Sequence, residues 1–153
     1  MNDRFKFRAI DNREWGEEKG TIYYDAEQTY DFLGGNPSVP ESSFGSLLED
    51  DADGGWIVEQ CTGLKDENGT LIYEGDIVEC FYDHFDGNFT EKKVTGVVKW
   101  GVGEWSVQNE KKGDWYFLSY ANYDEKHLQS DSVKVIGNIH ENPELLKECK
   151  NEK

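Results

Sequence analysis

The stretch Thr62–Cys80, "TGLKDENGTLIYEGDIVEC", decides how this chain folds. Its segment "DENG", Asp66 to Gly69, reads as a hairpin turn, because Asn-Gly accepts the positive φ angles that a tight hairpin imposes. "TLIY" follows as an apolar strand. "EGD" then reverses the chain at Gly75, ahead of a second strand, "IVECFY". The polar residues here answer first to backbone geometry. Gly75 supplies dihedral freedom, and Asp76 is placed to hydrogen-bond its own turn.

Working outward, everything beyond Trp56 has the same texture: short alternating segments interrupted about every eight to twelve residues, as in a small antiparallel barrel or sandwich. "WIVEQCT" is the strand before the turn. "KKVTGVVKWGVGEWSVQ" carries two strands, with Gly101 and Gly103 allowing a turn between Trp100 and Trp105. "DWYFLSY" is a further strand, and "VKVIGNI" closes the sheet. In "HENPELLKECK" a helix start is written out: Asn142 to cap, Pro143 at the first helical position, Glu144 to complement the dipole. Upstream, "MNDRFKFRAID" is a leading strand ending near Asp11, and "TIYY" is a short β-like run. "FGSLLEDDADGG", Phe44 to Gly55, is acidic and loop-like, with a helical turn at Leu47 and Leu48. A strand, a Gly-Asp turn and an Ile-Val strand make the ribbon bend used by SH3-like barrels.

Composition bounds what such a fold can do. The chain has 153 residues, enough for one domain with an appendage. Aromatics are 14% and all hydrophobics only 36%, so the core is expected to lean on Trp, Tyr and Phe. The formal net charge of -16 sets a field that repels nucleic acid and anionic membranes. A phosphate-backbone binder needs a Lys/Arg stripe instead. "RFKFR" is the one basic cluster, and its alternation puts Arg4, Lys6 and Arg8 on a solvated strand face, with Phe5 and Phe7 on the buried one. Cys61, Cys80 and Cys149 are odd in number and form no C-x-x-C, which argues for a reducing cytoplasm over a disulfide scaffold. No apolar run approaches a transmembrane helix or a signal peptide.

Three blocks carry a family resemblance. "QCTGLKDENGTLIYEGDIV" closely resembles the hallmark block of the YopX family, and "VIGNIHENPELL", Val135 to Leu146, resembles its closing block. "KFRAID" resembles the family's opening Phe-Arg-Ala-Trp-Asp segment, with Ile10 where an aromatic is usual. Cys61 likewise replaces an aromatic before Thr-Gly-Leu. The resemblance implies an SH3-type barrel with an N-terminal extension and a phage or prophage setting. It implies no established activity, so no catalytic residues are carried over.

Candidate chemistry is thin. In "EDDADGG", Glu49, Asp51, Asp53 and Gly54 match the first, third, fifth and sixth places of an EF-hand loop. The twelfth place is Gln60, which gives no bidentate carboxylate, so an acidic solvated loop is the preferred reading. "YDHFDGN", Tyr82 to Asn88, offers Asp83, His84 and Asp86 and reads as a turn. His84, His127 and His140 accompany no nucleophile signature, and His140 suits a role in fixing the strand-to-helix corner. "GVGEW" lacks the third glycine and the following helix of a phosphate loop. Trp100, Trp105, Trp115, Tyr116, Phe117, Tyr120 and Tyr123 would suit base stacking on a basic barrel. Beside Glu104, Asp114, Asp124 and Glu125 they read as barrel core, any outward remainder serving a protein partner.

The expectation is a mainly β chain: a β-rich N-terminal extension over 1–55 that packs on the barrel, then an SH3-like barrel with a short C-terminal helix over 56–153. Its expected function is a non-enzymatic, phage-encoded protein–protein interaction module without metal, cofactor or catalytic residues. The alternative is an acidic DNA mimic that occupies a host DNA-binding protein. A homo-oligomer built on the apolar face of "RFKFRA" is also expected, since that face must dock on its own barrel or on a neighbour's.

Overall fold

The computed structural model describes residues 3–13, 19–28, 44, 47–48, 55–85, 87–101, 103–109, 114–117 and 133–148. For 82–85, 89–92, 114–117 and 147–148 it describes the backbone alone. The fold is mainly β. Its strands are β1 (Phe7–Asp11), β2 (Ile22–Tyr24), β3 (Trp56–Lys65), β4 (Leu71–Tyr73), β5 (Asp76–Phe85), β6 (Phe89–Gly101), β7 (Glu104–Asn109), β8 (Asp114–Phe117) and β9 (Val133–Asn138). A short helix, α1 (Glu144–Glu148), follows. Two sheets form, in the orders β2-β1-β3-β4 and β8-β7-β6-β5-β9. Contacts divide the chain into two compact units, Met1–Gly63 and Leu64–Lys153. Trp56 to Gly63 group with the first unit, where Trp56 to Gln60 of β3 pair with β1.

In the first unit β1 is a central strand, with Ala9 opposite Tyr23 on one side and Val58 on the other. Its core is Ala9, Ala26, Leu47 and Trp56, edged by Phe7, Tyr23, Phe44 and Val58. The helical turn expected at Leu47 and Leu48 is present. The expected solvated face of "RFKFR" is not. Residues Asp3–Phe5 form a 3₁₀ turn closed by Lys6 N–H to Asp3 C=O, which takes Arg4 and Phe5 out of the strand. Arg8 is only 1% exposed. Its Nε donates to Glu59 Oε1 at 2.8 Å from the directly opposed position on β3. Burial along β1 does not alternate, since Arg8 to Asp11 are all buried, so neither face is left to solvent and the Arg8 charge is buried with a partner. Phe7 packs on Phe44 at 4.9 Å between ring centroids, whereas Phe5 stays exposed.

Asp11 ends β1, also buried. Both its oxygens accept from the Arg13 guanidinium, at 3.0 and 2.9 Å, and that guanidinium lies 5.0 Å from the Trp56 ring centre. Hydrogen bonding from Arg13 holds the Asp11 carboxyl below its ordinary range, against the opposing pull of burial.

The second unit is built on the long hairpin of β5 and β6, paired from Ile77↔Val97 to Phe85↔Phe89. This revises the reading of "YDHFDGN": Asp83 and His84 lie in β5, opposite Glu91 and Thr90, and the reversal comes later, around Gly87 at φ 105°. β9 returns antiparallel to the other side of β5, with a bulge between Ile77 and Val78. The core consists of Ile72, Val78, Cys80, Val94, Val98, Val107 and Val133, with Leu64, Trp105 and Val135 against it. Among the described residues this cluster is mostly valine, whereas the core of the first unit carries the aromatics Trp56, Phe7, Tyr23 and Phe44. Central strands favour β-branched side chains, which pack on the pleat with little rotamer freedom to lose. Gly96 is fixed by closeness: a Cβ there would lie 2.7 Å from the Gln108 carbonyl oxygen.

The corner before α1 is organised by two asparagines. Asn138 Oδ1 accepts from the His140 and Glu141 N–H groups, and Asn142 Oδ1 accepts from Asn138 N–H at 3.3 Å. Asn142 C=O accepts the first helical bond, from Leu145 N–H. His140 thus joins the corner through its backbone.

Candidate interaction site

Both aspartates of the deciding stretch are buried. Asp66 Oδ1 accepts from the N–H groups of Asn68 and Thr70, each at 2.9 Å. Its Oδ2 accepts from Val135 N–H at 3.0 Å, and Glu67 N–H donates to Val133 C=O at 2.9 Å. The β3–β4 turn therefore caps the outer edge of β9, a carboxylate taking the place of a strand carbonyl. Gly69 N–H closes the turn on Asp66 C=O, and Asp66 N–H donates to Thr70 C=O. Gly69 has φ 81°, while Asn68 has no positive φ: this is a three-residue loop needing one left-handed residue, where Asn-Gly suggested two.

Gly75 has φ 86°, as its place in the sequence predicts. Asp76 Oδ2 accepts from Tyr73 N–H at 2.8 Å, closing its own turn. The strands it joins are not paired with each other, however. β4 belongs to one sheet and β5 to the other, so this reversal passes the chain between sheets. Gly75 N–H also donates to Val98 C=O, and Ile139 N–H donates to Gly75 C=O.

The aromatic set divides. Trp100 and Trp105 face each other across the β6–β7 hairpin, with ring centroids 5.1 Å apart and planes at 74°. Alternation along β6 puts Trp100 on the face that carries Val94 and Val98, one pleat beyond Val98. Trp105 packs against that core, but Trp100 is 57% exposed. The stripe of core residues therefore runs past its cover and ends in an indole in solvent. Gly101 and Gly103 beside it carry no side chain, and a Cβ at Gly103 would meet nothing within 4 Å. The reading as barrel core with an outward remainder did not say which aromatic would face out, and Trp100 is one that does. The available signal was its position, last before a glycine-flanked turn.

Trp115, Tyr116 and Phe117 lie in β8, of which only the backbone is described, and Tyr120 and Tyr123 fall outside the described residues. Glu49, Asp51, Asp53, Gly54, Asp86, His127 and Cys149 fall outside them too. Gln60, the EF-hand candidate's twelfth place, lies in β3 and donates from Nε2 to Arg4 C=O at 2.7 Å. Among the described residues no three His, Cys, Asp or Glu side chains cluster as metal ligands would. Cys61 and Cys80 are buried thiols outside any disulfide, and burial, with the Glu79 charge beside it, pushes the Cys80 thiol up to about 12. Among the described residues no helix is long and apolar enough to cross a membrane.

Comparison with known proteins agrees with the strand pattern. The family model described as YopX protein matches residues 6–147. A crystal structure of protein EF1440 from Enterococcus faecalis is similar, with a TM-score of 0.51 at 26% identity, over 92% of this chain and 96% of that one. A search of the curated proteins returns no match.

Proposed function

The chain belongs to the YopX family, and from that premise we propose that it is a phage- or prophage-encoded cytoplasmic accessory protein acting by protein–protein contact, without catalysis. The observation that carries this reading is Trp100, a large apolar ring held in solvent by a paired hairpin. Tryptophan is enriched among the residues that anchor interfaces, since it buries much area at little entropic cost. The buried acids support the same reading. Asp66 and Asp76 are bound to backbone N–H groups, and Glu59 and Asp11 to arginines. These four carboxylates are thereby withdrawn from the surface on which a DNA mimic would display phosphate-like charge.

Trp100→Ala tests the proposal. Tagged wild-type protein and the variant are used to capture partners from lysate of the host, after equal melting temperatures have been verified. The expected result is a protein retained by the wild type and lost by the variant. Identical captured sets would refute the reading.

A further inference from the structure

The electronics of the exposed indole restrict what it takes. An indole face is the best side-chain acceptor for a cation, because the ring quadrupole places negative density above its plane. Trp100 meets Trp105 nearly at right angles, an arrangement that leaves ring face uncovered instead of stacking it away. The chain's formal charge of -16 draws cations toward any such surface and repels anions. The flanking Gly101 and Gly103 let a partner's backbone come close. This protein also uses the same pairing internally: Arg4 lies over Phe5 at 5.2 Å and Arg13 over Trp56 at 5.0 Å. Among the described residues the ring contact recorded for Trp100 is Trp105 alone.

We infer that Trp100, backed by Trp105, docks an arginine side chain on a basic, extended segment of the partner protein. The inference rests on the interaction reading above and names its chemistry. Charge complementarity draws the segment in. The guanidinium then lies flat on the indole, where a lysine ammonium would keep more of its water.

The test is calorimetric titration of the full chain with a short Gly-Arg repeat peptide, beside peptides in which arginine is replaced by lysine, by neutral citrulline or by glutamate. Wild-type protein is expected to bind the arginine peptide best. Trp100→Ala, which leaves the net charge intact, is expected to weaken that binding by about 3- to 30-fold, with Trp100→Phe in between. Citrulline is expected to abolish it. An arginine peptide bound equally by wild type and Trp100→Ala would overturn the inference, because only the general field would then be at work. Equal binding of the citrulline peptide would overturn it too, pointing to an apolar occupant. If either occurs while Trp100→Ala still loses its captured protein, the cation assignment fails and the interaction reading stands. If the captured sets are identical, the interaction reading itself fails.

Discussion

Removing the Asp66 carboxylate is the sharpest perturbation this fold offers. The side chain is 5% exposed and holds three backbone N–H groups, two in its own turn and one on a strand sixty-nine residues away. A hydrogen bond to a charged group contributes about 1.5–3 kcal/mol. Asn68 and Thr70 are exposed residues, so water can replace most of what they lose. Val135 is half-buried against the core, and its N–H has no such substitute. Asp66→Ala is therefore expected to cost about 2–4 kcal/mol. Asp66→Asn keeps an oxygen for the turn but turns a donor toward the Val135 N–H, and is expected to cost about 1–3 kcal/mol. With a urea slope of about 2 kcal/mol per molar, the alanine variant's midpoint falls by about 1–2 M at unchanged slope. Hydrogen exchange supplies the local readout, with Val135 losing amide protection ahead of its neighbours in β9. A midpoint unmoved in both variants, with Val135 still protected, would refute the reasoning.

Other perturbations follow from the same geometry. Gly75→Val forces a β-branched residue to φ 86° and should destabilise by about 1–3 kcal/mol, visible as a lower urea midpoint; an unchanged midpoint contradicts it. The Cys80 thiol, raised from 9.0 to about 12, binds its proton more tightly folded than unfolded. Its contribution is complete below about pH 9 and is lost as pH rises toward about 12, so Cys80→Ala should flatten that alkaline arm, and native Cys80 should not react with a thiol reagent at pH 8. Asp11 is shifted the other way. Its contribution is present above its ordinary value of 3.8 and is lost as pH falls through the lower folded value, so Asp11→Asn should flatten the acid arm of a pH–stability curve.

What the sequence discloses is what is local. Alternation and turn residues locate the strands from "TIYY" to "VKVIGNI", and the dihedral need at Gly75 is readable because three neighbouring letters set it. Long-range facts leave no local mark. That Arg8 is buried depends on Glu59 arriving opposite it, fifty-one residues on. The alternation of "RFKFR" is that of a half-exposed strand, and what overturns it is the 3₁₀ turn at Asp3–Phe5 together with burial of both faces from Arg8 to Asp11. Nor does anything beside Asp66 announce Val135, or show that β4 and β5 part company at Gly75. Trp100 is the opposite case. The strand pattern assigns it to the core face correctly, but where the cover over that face stops is a property of the packed unit.

The Asp66 cap on β9 also imposes a timetable. As the chain is synthesised, the β3–β4 turn and the β5–β6 hairpin emerge first, and the strand both await comes only after β7 and β8. Until Val133–Asn138 arrives, one side of β5 is a bare row of amides and carbonyls, and the Asp66 carboxylate has only its own turn to bind. An open strand edge of that kind recruits whatever extended chain is near, including the same segment of a neighbouring copy. The late arrival of β9 closes this window from both directions, since one strand covers β5 while the turn covers the strand. In a chain without β9, the side of β5 that pairs with Val133–Asn138 would stand open as an unpaired edge.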